Sequence, residues 1–345
     1  MTDIGPAPRI LIARLSAIGD VVQTMPVACA LREHFPGAFL AWVAQRGAEL
    51  LAGHEALDEL VALPRGWLKS PRIVWQLRRR LRAMKFDIAI DAQGLTKAAI
   101  VAWLSGARRR IGVGGIWGRE LSPWLNTETV DTGDPHAVDR NLGLLRPLGI
   151  ESPTVRFRVP EHRPDCLAAE RIIREAGMDD GFAIINAGAT WPSKLWPADR
   201  FAAVAKYLGE HRRLPTMVLG GSPSERALAE RIRSGSGGHA QLIPPVTLTQ
   251  LAALTRRARL FVSCDTGPLH LAAAVDTPCV SLHGPFPARR HAPYGPGHIA
   301  LQKMHFDGST RQRRRASPKY MEAIGVETVC EACEEILSRR DHEAA

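Results

Sequence analysis

The stretch "FAIINAGATWPSKLWPADRFAAVAKYLGEHR", Phe182–Arg212, decides the fold. A short apolar run ends in small residues, a loop carries two tryptophans and a lysine, and helical periodicity begins with Pro197 near its first turn. Repeated, that unit describes a buried parallel sheet wrapped by helices. Downstream it recurs as the strand "TMVLGG", the helices "SERALAERIRS" and "LTQLAALTRRA", the strand "RLFVSCDTG", the helix "LHLAAAV" and the strand "PCVSLHGP". Upstream, "RILIARL" (Arg9–Leu15) is followed by a Ser/Gly loop and one amphipathic helix over Val21–His34. Then come "FLAWVAQ", "LDELVALP", a basic helix over Ile73–Met84, "FDIAIDAQG", a further helix, "RRRIGVG", and a helix over His136–Gly149. Two successive α/β halves, joined near residues 150–180, predict two Rossmann-like domains facing each other across a cleft. Their expected bounds are 1–165 and 166–325, with a last helix over about 326–345 packing back on the first domain.

A chain of 345 residues is long enough for two such cores. No uninterrupted apolar run reaches about 18 residues, which argues against a membrane-spanning helix. The opening "MTDIGPAPRILIARL" lacks a basic region before its apolar run, so no secretory leader is expected and the reading is cytoplasmic. Six cysteines are scattered, and Cys330 and Cys333 form the one CxxC, without the second pair or histidine partner that zinc needs. The formal net charge of +10 is grouped in "RRRLRAMK" (Arg78–Lys85), "RRR" (Arg108–Arg110) and "RQRRR" (Arg311–Arg315). Each cluster alone reads as a solvated face; together they favour an anionic partner.

Ligands of open α/β sheets bind beyond the carboxyl ends of the strands. The loops to watch are therefore 16–20, 91–97, 186–194, 220–225, 264–270 and 283–286. No GxGxxG follows either first strand and no GxxxxGK[ST] occurs, which removes dinucleotide dehydrogenases and P-loop nucleotidases. In the first loop Ser16, Ala17 and Gly19 permit close approach of a ligand. Asp20 is either a first-turn acid complementing the helix dipole or a general base. In "NAGATWPSKLWP", Thr190, Ser193 and Lys194 beside a helix start suit a diphosphate, unless the tryptophans only pack the loop and the lysine is solvated. Glu225 suits ribose hydroxyls or a capping box. Asp265, Thr266, Gly267 and His270 share one strand-to-helix corner, where turn chemistry competes with a ligand role.

Six segments in order, "RLSAIGDVVQTMP", "DAQGLTK", "HAVDRN", "NAGATWPSKLWP", "LGGSPSE" and "DTGPLHLAAA…TPCVSLHGP", resemble the bacterial lipopolysaccharide heptosyltransferases of glycosyltransferase family 9. The resemblance runs from about Arg9 to about Leu337, and "DAQGLTK" and "HAVDRN" are most similar to the members that add the first heptose to Kdo. It implies a GT-B fold, with the acceptor on the first domain and the nucleotide sugar on the second. The implied reaction is metal-independent inversion using ADP-heptose, with no cofactor. Asp20 then falls on the base and Lys194 on the catalytic diphosphate contact. Ser16, Gly19, Thr190, Ser193, Glu225, Asp265, Thr266, Gly267 and His270 fall on the donor side. Arg65, Gln93, Lys97, Arg119 and Arg140 fall on the acidic acceptor.

One carboxylate suffices for inversion, and no general acid is needed where cations and N–H donors stabilise departing ADP. The implied partners are ADP-heptose and an anionic glycolipid, Kdo-lipid A or inner core, met by peripheral contact at the cytoplasmic face of the inner membrane, with no nucleic acid. Two departures from relatives stand out. Phe286–Pro287 follows "HGP", and "RQRRRASPKY" replaces a cysteine-bearing stretch and reads as disordered or membrane-facing. The competing readings are the same transfer onto a second core heptose or a protein side chain, and a basic nucleic-acid-binding module without catalysis. The last leaves the paired α/β halves and Asp20 unexplained, and its basic runs lack the interleaved aromatics of a single-strand platform.

Overall fold

The computed structural model describes residues 5–133 and 136–344. Met1–Ile4, part of the segment read as lacking a leader, and Ala345, the end of the expected last helix, lie outside them. The chain divides into two compact units, Met1–Pro160 and Glu161–Ala345, so the boundary falls a few residues before the expected 165.

The first unit holds six strands: β1 Arg9–Ala13, β2 Phe39–Ala44, β3 Glu59–Ala62, β4 Ile88–Asp91, β5 Arg109–Val113 and β6 Glu128–Val130. They pair in parallel in the order β3-β2-β1-β4-β5-β6. The second unit repeats the plan with β7 Ala183–Asn186, β8 Thr216–Leu219, β9 Ala240–Leu242, β10 Leu260–Cys264, β11 Cys279–Leu282 and β12 Ile299–Leu301. Its order, β12-β11-β10-β7-β8-β9, is the same doubly wound arrangement. In each sheet the strand order reverses between the first and fourth strands of the unit, and there the connecting loops diverge and leave room for a ligand.

Strands buried on both faces are apolar along most of their length, and β1, β4, β7 and β10 are so apart from Arg9, Asp91, Asn186 and Ser263. Right-handed crossovers from β3 to β4, β4 to β5 and β5 to β6 run in one direction, so their helices share one face of the first sheet. These helices are Pro71–Ala83, Thr96–Ser105 and Ser122–Leu125. Accordingly Leu77, Leu81, Ala98, Val101 and Leu104 share one core with Leu11, Ala13, Val43 and Ala89.

Several expectations are corrected. The single helix over Val21–His34 is two, Ile18–Val22 and Met25–His34. Pro26 needs a fresh helix start, and the Thr24 hydroxyl turns back to donate to the Asp20 carbonyl at 2.8 Å. The helix over His136–Gly149 ends at Gly143 and a 3-10 turn, Arg146–Leu148, follows, because Pro147 cannot continue an α-helix. The junction near 150–180 contains a helix, Arg163–Ala176, whose Ala169, Ile172 and Ile173 are buried. The last helix, Val326–Ala344, was expected on the first domain; its Val329, Cys333, Ile336 and Leu337 belong instead to the core of the second unit. "RQRRRASPKY" is helical over Thr310–Arg314 and Lys319–Glu322, with Arg314 stacked on Trp191, rather than disordered. All six cysteines are free, and burial pushes the Cys330 thiol up to about 11. Among the described residues no helix is long and apolar enough to cross a membrane.

Candidate active site

At the carboxyl end of β1, Arg14 interrupts an apolar run, yet it is buried. Its guanidinium donates to the Ala92 carbonyl after β4 and pairs with Asp20 at 2.7 Å. The second Asp20 oxygen accepts from the Ala17 N–H at 2.9 Å, closing the first turn of helix Ile18–Val22. Both sequence readings of Asp20 thus have a physical basis. It caps a helix, and its side chain stays 41% exposed. Ser16 and Gly19 flank it on the same corner. Asn141 of "HAVDRN" braces this corner from behind, donating to the Gln23 carbonyl at 3.1 Å and to the Thr24 hydroxyl at 2.9 Å.

The loop after β4 is pinned by Asp91, which sequence reading passed over. This fully buried carboxylate accepts from Gln93 N and Gly94 N, both at 3.0 Å, from Ser122 Oγ at 2.6 Å and from Asn126 Nδ2 at 3.1 Å. Burial pushes its pKa up, against these four donors. The loop so fixed aims Gln93 at the β1 corner, where its Oε1 accepts from Leu15 N at 3.0 Å. Gly94 has φ +66°, and a Cβ there would meet the Trp117 carbonyl at 2.7 Å, so only glycine lets the loops after β4 and β5 close together. Arg119 donates its backbone N–H to Gly94 O at 3.0 Å, and the Arg140 guanidinium lies 4.2 Å from the Trp117 ring centre.

Arg65 and Lys97 line one cavity of about 310 Å³ with Gln45, Arg46, Gly66, Trp67, Leu68 and Lys69. Four cations around one hollow, with no carboxylate in its lining, suit a multiply charged anion. Arg46 and Lys69 were not anticipated, and both lie on loops at the carboxyl edge. Of the five residues expected on the acceptor side, the structure brings Arg65 and Lys97 together here, while Gln93, Arg119 and Arg140 support the neighbouring loops.

In the second unit, the Asn186 amide at the end of β7 donates to Ser263 Oγ at 3.0 Å and Thr266 Oγ1 at 2.9 Å, tying β7 to β10. Thr266 therefore opens helix Gly267–Ala274 without a side-chain cap, and first-turn N–H groups stay open toward the loop. Lys194 ends a 3-10 turn, Pro192–Lys194, and its ammonium reaches Asp265 at 2.5 Å and the Phe286 ring centre at 4.3 Å. Asp265 is buried, and His270 Nε2 stands 3.6 Å from its other oxygen. Burial works to raise the Asp265 pKa, but Lys194 foremost, then His291, His270 and His283, hold it well below the usual carboxylate range. His270, read as either a donor contact or a buried helix residue, is buried and turned to Asp265. Burial pushes His283 down to about 4, and its Nε2 meets Ser281 Oγ at 2.9 Å.

The Ser193 hydroxyl beside Lys194 is buried and makes no hydrogen bond within the protein. Thr190 is exposed on the same loop. Of the two tryptophans, Trp196 is a core residue, donating to the Ile324 carbonyl at 3.0 Å, whereas Trp191 lies under Arg314. Glu225 forms a capping box, accepting from Ser222 N at 2.7 Å. A Cβ on Gly188 would stand 2.5 Å from its Oε1, so Gly188 and Glu225 bring the loops after β7 and β8 into contact. Arg14, Asp91, Phe286 and Arg314 escaped the sequence reading as site residues. A charge inside an apolar strand was the available signal for Arg14 and Asp91; nothing local marked Phe286 or Arg314.

A family model described as glycosyltransferase family 9 (heptosyltransferase) matches residues 74–321. Lipopolysaccharide heptosyltransferase 1 of Pseudomonas aeruginosa is 29% identical over 309 residues, covering 85% of this chain and 83% of that protein. A glycosyl transferase family 9 structure from Veillonella parvula superposes with a TM-score of 0.84 at 24% identity, covering 96% of this chain and 98% of its own. The E. coli heptosyltransferase WaaC with ADP-2-deoxy-2-fluoro heptose gives 0.73 at 25% identity, covering 95% and 99%. These likenesses establish the GT-B fold class expected from the sequence.

Proposed function

We propose, because the chain belongs to glycosyltransferase family 9, that it transfers heptose in lipopolysaccharide synthesis, as the names of its relatives suggest, with ADP-heptose as donor and the Kdo of the inner core as acceptor. Asp20 takes the proton of the attacking acceptor hydroxyl as the new glycosidic C–O bond forms and the bond from the anomeric carbon to the diphosphate breaks. The carboxylate is held in place from two sides, by Arg14 and by Ala17 N–H, so little reorganisation precedes the step. The departing ADP gains negative charge, which Lys194, the Ser193 hydroxyl and the open N–H groups at Gly267–Ala274 stabilise. The Lys194 ammonium has three donors, of which Asp265 engages two, one with its carboxylate and one, at 3.5 Å, with its carbonyl. Thr190 extends the diphosphate contacts, Glu225 serves the adenosine side through its remaining oxygen, and Asp265 with His270 serves the sugar hydroxyls. The cationic hollow of Arg65 and Lys97, with Arg119 and Arg140 nearby in sequence, receives the acidic acceptor. In this reading the enzyme needs no metal and works at the cytoplasmic face of a membrane that it touches peripherally.

The observation that carries the reading is the buried Lys194–Asp265 pair beside an unpartnered Ser193 hydroxyl at an uncapped helix start. Incubation with ADP-heptose and a panel of truncated core lipids tests it. ADP release is expected with Kdo-lipid A and is expected to survive EDTA. Release only with lipids already carrying a heptose, or only with a protein acceptor, would move the chain to another acceptor. Strict dependence on magnesium would remove the Lys194 argument.

A further inference from the structure

Residues 65–125 contain thirteen Lys and Arg against three Asp and Glu, a net +10 that equals the formal charge of the whole chain. Of the three acids, Asp91 is buried at its four donors, leaving Asp87 and Glu120 at the surface. The same segment holds five of the six exposed large apolar side chains among the described residues: Trp75, Trp103, Ile116, Leu121 and Trp124. The two properties coincide on one layer. Each of its three helices turns one tryptophan outward: Trp75 on Pro71–Ala83 at 58% exposure, Trp103 on Thr96–Ser105 at 50%, and Trp124 on Ser122–Leu125 at 86%. Leu77 and Leu81 face the sheet, so Arg72, Trp75, Arg79 and Arg82 line the opposite side of the first helix, with Arg79 stacked on Trp75 at 5.0 Å. On the second helix Lys97 is one turn from Ile100 and two from Trp103, and Lys97 also lines the cationic hollow.

Exposed tryptophans ringed by arginine, with aliphatic side chains between them, match a bilayer interface. Indole rings settle at headgroup level while basic side chains meet anionic lipid phosphates. Isolated exposed apolar residues need no explanation, but their coincidence with so basic a segment does, even with Arg80 and Arg109 paired to Glu59 and Glu128 outside it. Stacking on a nucleic-acid strand would use the tryptophans and the arginines but not Ile116 and Leu121.

We propose that the outer face of this helix layer, centred on Trp75, Trp103 and Trp124, is a docking surface for an anionic phospholipid bilayer. This deepens the glycolipid reading above, since Lys97 joins the surface to the hollow, and the test omits all glycolipid so that the two fail separately. The full chain is floated with vesicles of phosphatidylethanolamine and ~30% phosphatidylglycerol, and with neutral phosphatidylcholine vesicles, while ADP-heptose binding is measured in parallel. The chain is expected to float with the anionic vesicles only and to lose binding about tenfold when salt rises from ~0.05 to ~0.5 M. The triple variant Trp75→Gln, Trp103→Gln, Trp124→Gln is expected to partition about tenfold less with unchanged ADP-heptose affinity. A second variant, Arg72→Gln, Arg79→Gln, Arg82→Gln, is expected to lose binding at low salt. Equal flotation of wild type and the triple variant, no flotation on anionic vesicles, or tight single-stranded RNA binding abolished by the same substitutions would each overturn the proposal.

Discussion

The two units share one strand order and one rule for where a site forms, yet their carboxyl-edge corners solve opposite electrostatic problems. At the β1 corner the key carboxylate, Asp20, is 41% exposed, and the cavity of the same unit is lined by four cations and no carboxylate. At the β7–β10 corner the key charges are a closed pair, Lys194 at 14% exposure and Asp265 at 6%. A half-exposed charge costs little to keep and stays available to a reacting group. A buried one survives only with its partner, and it then acts through the donors left over. On the proposed mechanism, substitutions at the first corner are expected to act on kinetics and those at the second on both stability and binding.

Substitutions separate the two. Asp20→Asn keeps the shape of the first corner and removes the base, so transfer is expected to fall by about a thousandfold or more while ADP-heptose affinity stays within a few-fold. Retained turnover in a steady-state assay would remove Asp20 from the chemistry. Lys194→Met leaves Asp265 buried without its ammonium, and we expect a loss of about 3–5 kcal/mol in urea unfolding together with weakened donor binding. The double change Lys194→Met, Asp265→Leu is expected to regain most of that stability but none of the donor binding, a split that calorimetry reads directly. A double variant as unstable as the single one would sink the closed-pair picture.

The smallest effect is a pH dependence confined to the second corner. His283 titrates at about 4 in the folded protein against 6.5 when free. The unfolded chain therefore takes up a proton between those values while the native state does not, and stability falls on acidification through that window. The total is on the order of 3 kcal/mol. Asp265, held well below the usual carboxylate range, stays ionised in the native state throughout, and the unfolded carboxyl adds a slope of the same sign only at the acid end, near pH ~4. Urea midpoints measured across the window are expected to lose that slope in His283→Gln. An unchanged slope would assign it to other groups, such as His54 and His298, whose pKa values burial also lowers.

The eight interior strands, the edge strand β3 and the doubling of the α/β plan were legible because each of these strands carries a short apolar run. The three that escaped, β6, β9 and β12, lie at sheet edges, have three residues each and are half-buried, so no apolar run marks them. Asp265 was visible because it directly follows an apolar strand, and Asp20 and Lys194 because they stand in the short segments leading from such a strand into helical sequence. Arg314 and Phe286 were not, since they reach the Lys194 loop from segments far along the chain, and only folding brings them there. The last helix was misassigned because an amphipathic pattern states that one face is buried without stating against what.

The lopsided charge of residues 65–125 has a consequence at distances beyond any contact. The segment carries +10 against −4 over the rest of its own unit, so charge is separated within the first unit, which carries an electric dipole. Near a negatively charged plane such a body experiences a torque within about one Debye length, roughly 8–10 Å at physiological salt. It arrives already turned, so productive encounters need less of a rotational search, and the arrival rate rather than the bound lifetime becomes the quantity most sensitive to salt.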